Sequence, residues 1–133
     1  MRIMVVDNDA ALLRSLVILL EGEGHEVAGF ACPVRALEHL EGSEAPDLLL
    51  VDYVMPAMDG LQFLRAATGR MENPCRAILM SGHGEQLEGV RLPERGVEAL
   101  LSKPIDLTAL RSAILRGEER RTGSGAWDDE DES

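Results

Sequence analysis

The sequence predicts an α/β fold: a doubly wound, five-stranded parallel sheet with helices on both faces. Three observations lead there. Short apolar runs alternate five times with segments whose apolar residues recur at helical spacing. The runs show almost no polar alternation, as expected of parallel strands covered on both faces. Several of them end in a charged or hydroxylated residue, notably Asp7, Asp52, Ser81 and the Ser102-Lys103 pair.

The elements follow in order. RIMVV (2–6) is a buried strand that runs into acid. Asp9 is placed to cap a helix carrying Leu12, Leu13, Leu16, Val17, Leu19 and Leu20, which Gly22 and Gly24 stop. A second strand spans 26–30. Pro33 suits the first turn of a helix with Val34, Leu37 and Leu40 on one face, ending near Gly42. DLLLV (47–51) is a continuous apolar strand delivering Asp52. After a loop containing Pro56, Gly60 opens a helix to Thr68. RAILM (76–80) is the fourth strand, ending at Ser81. Residues 85–95 are read as a helix that Gly89 and Pro93 shorten or distort. The fifth strand spans 97–101 and leads to Ser102-Lys103-Pro104. Asp106 caps the last helix, with Leu107, Leu110, Ile114 and Leu115 expected to face inward. Right-handed crossovers then give strand order 2-1-3-4-5, the flavodoxin-like arrangement.

At 133 residues the chain fits one domain, assigned to residues 1–121, and residues 122–133 are read as a disordered acidic tail. Aromatics are only 3%, so Leu, Val, Ile, Ala and Met must build the core. Net charge is -11, and five of the 24 acidic residues form the run Asp128–Glu132. An acidic domain repels phosphate backbones, which argues against direct nucleic-acid binding. No apolar run approaches the ~20 residues that cross a bilayer, and Met1 to Val6 is too short for a signal peptide. No membrane association is expected, and the chain is read as cytoplasmic. Cys32 and Cys75 match no metal or redox spacing and are read as ordinary thiols.

In an open parallel sheet, ligands sit outside the carboxyl ends of the strands, at the switch in strand order. This chain sends Asp7, Asn8 and Asp9 there from the first strand, Asp52 from the third, Ser81 from the fourth and Lys103 from the fifth. Lys103 is the single lysine beside twelve arginines, so a compact ammonium is used at this position alone. Clustered carboxylates need a counter-charge, and a hard cation with oxygen ligands supplies it. A carboxylate beside such a cation is a competent nucleophile toward phosphorus. Lys103 would neutralise a phosphoryl oxygen and Ser81 would donate a hydrogen bond to another, the positioning and charge balance that phosphoryl transfer requires.

Four segments now carry a resemblance: IMVVDND (3–9), LLLVDYVMPAMDGLQFL (48–64), ILMSG (78–82) and LLSKPID (100–106). Together, over residues 1–118, the chain resembles the response-regulator receiver family of the CheY-like superfamily. The resemblance implies a Mg²⁺-dependent phosphoacceptor module of two-component signal transduction that switches a protein-protein surface and is not a turnover enzyme. It implies Asp52 as phosphoacceptor and Ser81 and Lys103 as its partners. Asp7, Asn8, Asp52 and the Val54 backbone carbonyl would hold the metal. The Lys103–Pro104 peptide is expected to be cis, and Asp59 and Gly60 match the turn into the third helix. A histidine kinase or phosphotransfer protein is the implied donor. No effector segment follows the last helix in this sequence, so the expected output is contact with a downstream protein or onward transfer in a phosphorelay. Homodimerisation through the 85–95 helix is left open.

Two positions depart from the family pattern. Asn8 stands where a second carboxylate usually touches the metal, so weaker Mg²⁺ binding is expected. Asp9 is assigned to capping rather than to compensation at the metal. Leu100 occupies the position of the usual switch aromatic, which excludes a ring-based switch and shifts attention to the weakly held 85–95 segment. His83 is read as exposed at the rim. Two other readings stay open: a receiver-like binding module that works without phosphorylation, and a haloacid-dehalogenase-type phosphatase with Asp7 as nucleophile and Asp9 as general acid.

Overall fold

The computed structural model describes residues 1–42, 45–71, 75–82 and 97–131, with side chains described through residue 119. The strands are β1 (Arg2–Val6), β2 (Glu26–Phe30), β3 (Leu48–Asp52), β4 (Arg76–Ser81) and β5 (Val97–Ser102). The described helices are α1 (Ala10–Gly22), α2 (Pro33–Gly42), α3 (Gly60–Thr68) and α4 (Leu107–Asp131). The five strands form one sheet in the order β2-β1-β3-β4-β5, every neighbouring pair parallel. The expectations for residues 85–95 and His83 fall outside the described residues.

Two apolar layers sandwich the sheet. On one face, Met4, Val6, Leu49, Val51, Ala77 and Leu79 meet the inward sides of α2 and α3. On the other, Ile3, Val5, Leu48, Leu50, Ile78 and Met80 meet α1 and α4. β3 and β4 are buried along their whole length, which is why their sequences show no alternation. Each fully buried Leu or Ile contributes about 1.5–3 kcal/mol relative to exposure, so these central strands anchor the fold. The core is aliphatic as composition requires, with one aromatic, Phe63, fully buried.

The helix ends follow local chemistry. Asp9 caps α1 by accepting from the amides of Ala11 and Leu12. Gly24, at φ 97°, turns the chain out of that helix into β2. Asp59 and Gln62 form a reciprocal capping box at the start of α3. Gly60 has a steric role: a Cβ there would lie 2.8 Å from the Asp52 carbonyl oxygen and 3.0 Å from Tyr53 Cα. Only glycine lets α3 start this close to the end of β3.

The structure differs from the sequence expectations in three places. Leu107 and Leu115 are 41% and 55% exposed, and α4 instead buries Leu110, Ala113 and Ile114. Leu115 is rotated about 100° from Ile114 on the helix and leaves the stripe that faces the sheet. Val34 is 44% exposed, the buried stripe of α2 running through Pro33, Ala36, Leu37 and Leu40 instead. Residues 122–131, read as a disordered tail, have helical backbone continuing α4 to Asp131. A helix satisfies its backbone hydrogen bonds internally, so it extends beyond the last residue packed on the sheet without needing burial.

Candidate functional site

The carboxyl ends of β1, β3, β4 and β5 bring the chemistry-bearing residues together. β1 and β3 are neighbours in register, Val6 beside Val51, so Asp7 and Asp52 emerge side by side. Both are buried: Asp7 is 0% and Asp52 4% exposed. Asp7 is held from both sides, its backbone N–H donating to Phe30 O at 3.0 Å. Its Oδ1 accepts from the Asp9 amide at 2.8 Å.

Lys103 closes the group. Its Nζ lies 2.9 Å from Asp7 Oδ2 and 3.2 Å from Asp52 Oδ2, so one ammonium bridges two buried carboxylates. Its backbone N–H donates to Ser81 O at 2.8 Å, which ties the end of β5 to the end of β4. The following Lys103–Pro104 peptide is cis. Ser81 is buried at the last position of β4. Tyr53 and Val54 turn the chain away from β3. The Tyr53 N–H donates to Met80 O at 2.8 Å, and the Val54 N–H approaches Asp52 Oδ1 at 3.4 Å.

Electrostatics inside this group oppose one another. Burial pushes the Asp52 carboxyl above the ordinary carboxylate range, and the neighbouring Asp7 charge pushes the same way. Lys103 pulls it back down through its charge and hydrogen bond, without full compensation. For Lys103, burial favours the neutral amine. The hydrogen bond and charge of Asp7, then the charge of Asp52, outweigh burial and hold the ammonium above its usual value. Two buried carboxylates against one ammonium leave an uncompensated negative charge, and a divalent cation would offset it.

The residues fit such a cation. Asp7 Oδ2 is buried and meets the Lys103 ammonium at 2.9 Å, with no other donor on it among the described residues. A buried oxygen in that state has capacity left for a metal. The donor set is oxygen-only and suits Mg²⁺, which takes few protein carboxylates and keeps several waters. The set is also thin. Among the described residues no three His, Cys, Asp or Glu side chains gather into a metal cluster. Asn8, the next residue along, is exposed and brings an amide in place of a carboxylate.

The structure thus gathers Asp7, Asp52, Ser81 and Lys103 at one sheet edge. Asp9 goes elsewhere, to its capping bonds on α1. Leu100 is partly buried against the α2/α3 layer. Sequence reasoning missed the opposite end of β4 and β5. There Arg76, 5% exposed, pairs with Glu98 through its Nε at 3.0 and 2.8 Å. The available signal was an arginine at the head of the otherwise apolar run RAILM.

Comparison with known proteins agrees with this geometry. Residues 3–115 match the family described as response regulator receiver domain. Among curated proteins, the chain is 38% identical to protein-glutamate methylesterase/protein-glutamine glutaminase 5 of Myxococcus xanthus, over 94% of this chain and 37% of that protein. It is 33% identical to the transcriptional regulatory protein GlrR of Escherichia coli K12, over 84% of this chain and 25% of that protein. The chain thus spans between a quarter and just over a third of the length of these relatives. Among solved structures it is similar to a CheY-like receiver domain protein from Methanospirillum hungatei, with TM-score 0.80 and 28% identity over 92% of this chain and 97% of that one. It is also similar to the receiver domain of the hybrid histidine kinase CckA, with TM-score 0.72 and 30% identity over 87% and 97%.

Proposed function

The chain belongs to the response regulator receiver family, the regulatory module of two-component signalling, and from that premise we propose that Asp52 is its phosphoacceptor. The observation that carries the proposal is the single Lys103 ammonium shared by the buried carboxylates of Asp7 and Asp52. A carboxylate oxygen of Asp52 attacks the donor phosphorus. A P–O bond forms as the bond to the donor atom breaks, giving an aspartyl phosphate. Lys103 then neutralises the transferred phosphoryl oxygens, and the Ser81 hydroxyl at the end of β4 donates to them. Asp7, Asn8, Asp52 and the Val54 carbonyl would hold Mg²⁺, which would supply positive charge for the phosphoryl oxygens. Asn8 makes that site one charge poorer than a three-carboxylate arrangement.

The donor is a histidine kinase or a phosphotransfer protein, and a downstream protein reads the phosphorylated state in the cytoplasm. Residues 1–121 form the receiver unit. Among the described residues no helix is long and apolar enough to cross a membrane. The phosphatase reading lacks its general acid, because the Asp9 side chain is committed to the amides of Ala11 and Leu12.

The test is incubation with a small acyl phosphate and Mg²⁺, followed by intact-mass measurement. The expected result is a single phosphoryl adduct, absent in Asp52→Asn. An adduct retained in Asp52→Asn and lost in Asp7→Asn, with turnover of the donor, would replace this reading with the phosphatase one. No adduct under any condition would favour a module that works without phosphorylation.

A further inference from the structure

Arg76 is a buried cation in a strand that otherwise needs none, and such a charge persists only when it is paired and hydrogen-bonded. It is engaged on two sides. Its Nε donates to both carboxylate oxygens of Glu98, and its Nη2 donates to Ile114 O at 2.8 Å on α4. Gly117 completes the socket, because a Cβ there would collide with the guanidinium and with Glu98.

Glu98 itself sits at an irregularity. Ala77 pairs with Val97, but the next residue, Ile78, pairs with Ala99, so Glu98 is an extra residue in β5. This is a β-bulge, uncommon between parallel strands. Its consequence can be followed face by face. Val97 packs in the α2/α3 layer, as does its partner Ala77. Beyond the bulge, Ala99 and Leu101 join the α1/α4 layer with Ile78 and Met80, while Leu100 joins the α2/α3 layer with Leu79. Strict alternation from Val97 would have produced the reverse. Carried forward two residues from Leu101, the phase places Lys103 on the α1/α4 side. Asp7 follows Val5, and Asp52 follows Leu50, on that same side.

Hydrophobic patterning does not choose between the two phases, because Ala99, Leu100 and Leu101 are apolar in either one. Glu98 faces the Arg76 side in either phase, but in the bulge it sits between Ala77 and Ile78 rather than opposite Ile78, nearer to Arg76, whose Nε meets both its carboxylate oxygens there. We propose that Arg76 is a positioning residue for the Asp52 site: by holding Glu98 in the bulge, it sets the β5 register that delivers Lys103 to Asp7 and Asp52. The proposal rests on Asp52 as phosphoacceptor for its functional consequence, while its structural half stands on the register alone. Without the pair, β5 relaxes to continuous pairing, Ile78 meets residue 98, and Lys103 moves about 3.3 Å outward onto the other face.

The experiment uses the full chain with Arg76→Met and Lys103→Met, singly and combined. A second charge-free variant, Arg76→Met with Glu98→Leu, leaves no unpaired buried charge and so preserves folding. Two quantities are measured on folded protein: binding of beryllium trifluoride with Mg²⁺ by fluorine NMR, and the β4–β5 register by amide NMR contacts. Arg76→Met and the charge-free variant are expected to lose the Ile78–Ala99 pairing and to weaken binding about 10-fold or more, the loss of one charge-assisted contact. In the Lys103→Met background, Arg76→Met is expected to change binding by less than about 2-fold, because its effect passes through the missing ammonium. An unchanged register in both Arg76 variants overturns the proposal. So does an equal, additive loss in the Lys103→Met background, which a merely structural role would give. If the unaltered chain does not bind the mimic, the phosphoacceptor reading fails, and the register measurement still decides the role of Arg76.

Discussion

Replacing Lys103 with methionine keeps the volume and removes the charge that two buried carboxylates share. Both oxygens touch the same ammonium, at 2.9 and 3.2 Å, so they cannot be more than about 6 Å apart. The carboxylates repel one another in parent and variant alike; what the variant loses is their compensation, and breaking a buried ion pair by removing one partner costs about 3–5 kcal/mol, the low end applying to an ammonium 21% exposed. The variant is therefore expected to lose about 3 kcal/mol at pH 8, a drop in melting temperature of about 10 °C for a domain of this size. The loss depends on pH. Burial and Asp7 already raise the Asp52 carboxyl above its unfolded value, and without the ammonium that pulls it down its folded-state pKa rises further. Stability from that protonated state is full below the unfolded pKa and disappears as pH rises through the folded one. Melting curves from pH 4 to 8 should show the variant approaching the parent in acid and diverging toward neutrality. Added Mg²⁺ should raise the melting temperature of the variant more than that of the parent, because the cation takes over the missing charge. A variant as stable as the parent at pH 8, or a deficit independent of pH, would refute this account of the site.

Four further outcomes follow from the same structure. Asp52→Asn should stabilise the metal-free chain at neutral pH, because burial and Asp7 hold the Asp52 carboxyl above its ordinary range and ionisation opposes folding; urea midpoints should show the gain shrinking toward acid pH, where Asp52 is already protonated. Asn8→Asp should tighten Mg²⁺ binding about 10-fold by calorimetry, the worth of one added charge contact, and unchanged affinity would remove Asn8 from the metal site. Ala57, at φ 77°, is in the left-handed region; Ala57→Gly should relieve about 1–2 kcal/mol of strain against about 0.4–1 kcal/mol of added chain entropy, a small net rise in the urea midpoint. Gly117→Ala should destabilise by about 1–3 kcal/mol in the same assay although alanine is the better helix former by about 1 kcal/mol, because its methyl would occupy the place of the Arg76 guanidinium.

Much of this molecule is legible in its sequence because the central strands are buried on both faces. LLLVD and RAILM have no polar residue between their ends, which fixes them as interior parallel strands and locates Asp52 and Ser81 at their exits. Asp9 was legible as a cap because its position before an apolar helical run leaves it the orphan amides. What escaped depends on how elements meet. Leu107 and Leu115 have the right composition for a core, but exposure depends on helix rotation, which a helix of mixed pattern specifies poorly. The bulge at Glu98 was invisible because ALL (99–101) is apolar in either phase, and only the partner strand reveals which one is used. The gathering of Asp7, Asp52 and Lys103 could be inferred from strand ends. The shared ammonium, and the left-handed backbone at Ala57 in the β3–α3 loop, required the fold.

The central claim concerns where phosphorus attaches, and chemical trapping reads that directly. Borohydride reduces an acyl phosphate on aspartate to homoserine, so the chain is treated with acyl phosphate and Mg²⁺, reduced, digested and sequenced by mass spectrometry. Homoserine at position 52, dependent on donor and on Mg²⁺, is the predicted result. Homoserine at position 7, or an unmodified Asp52 in a chain that has taken up phosphate, would contradict it.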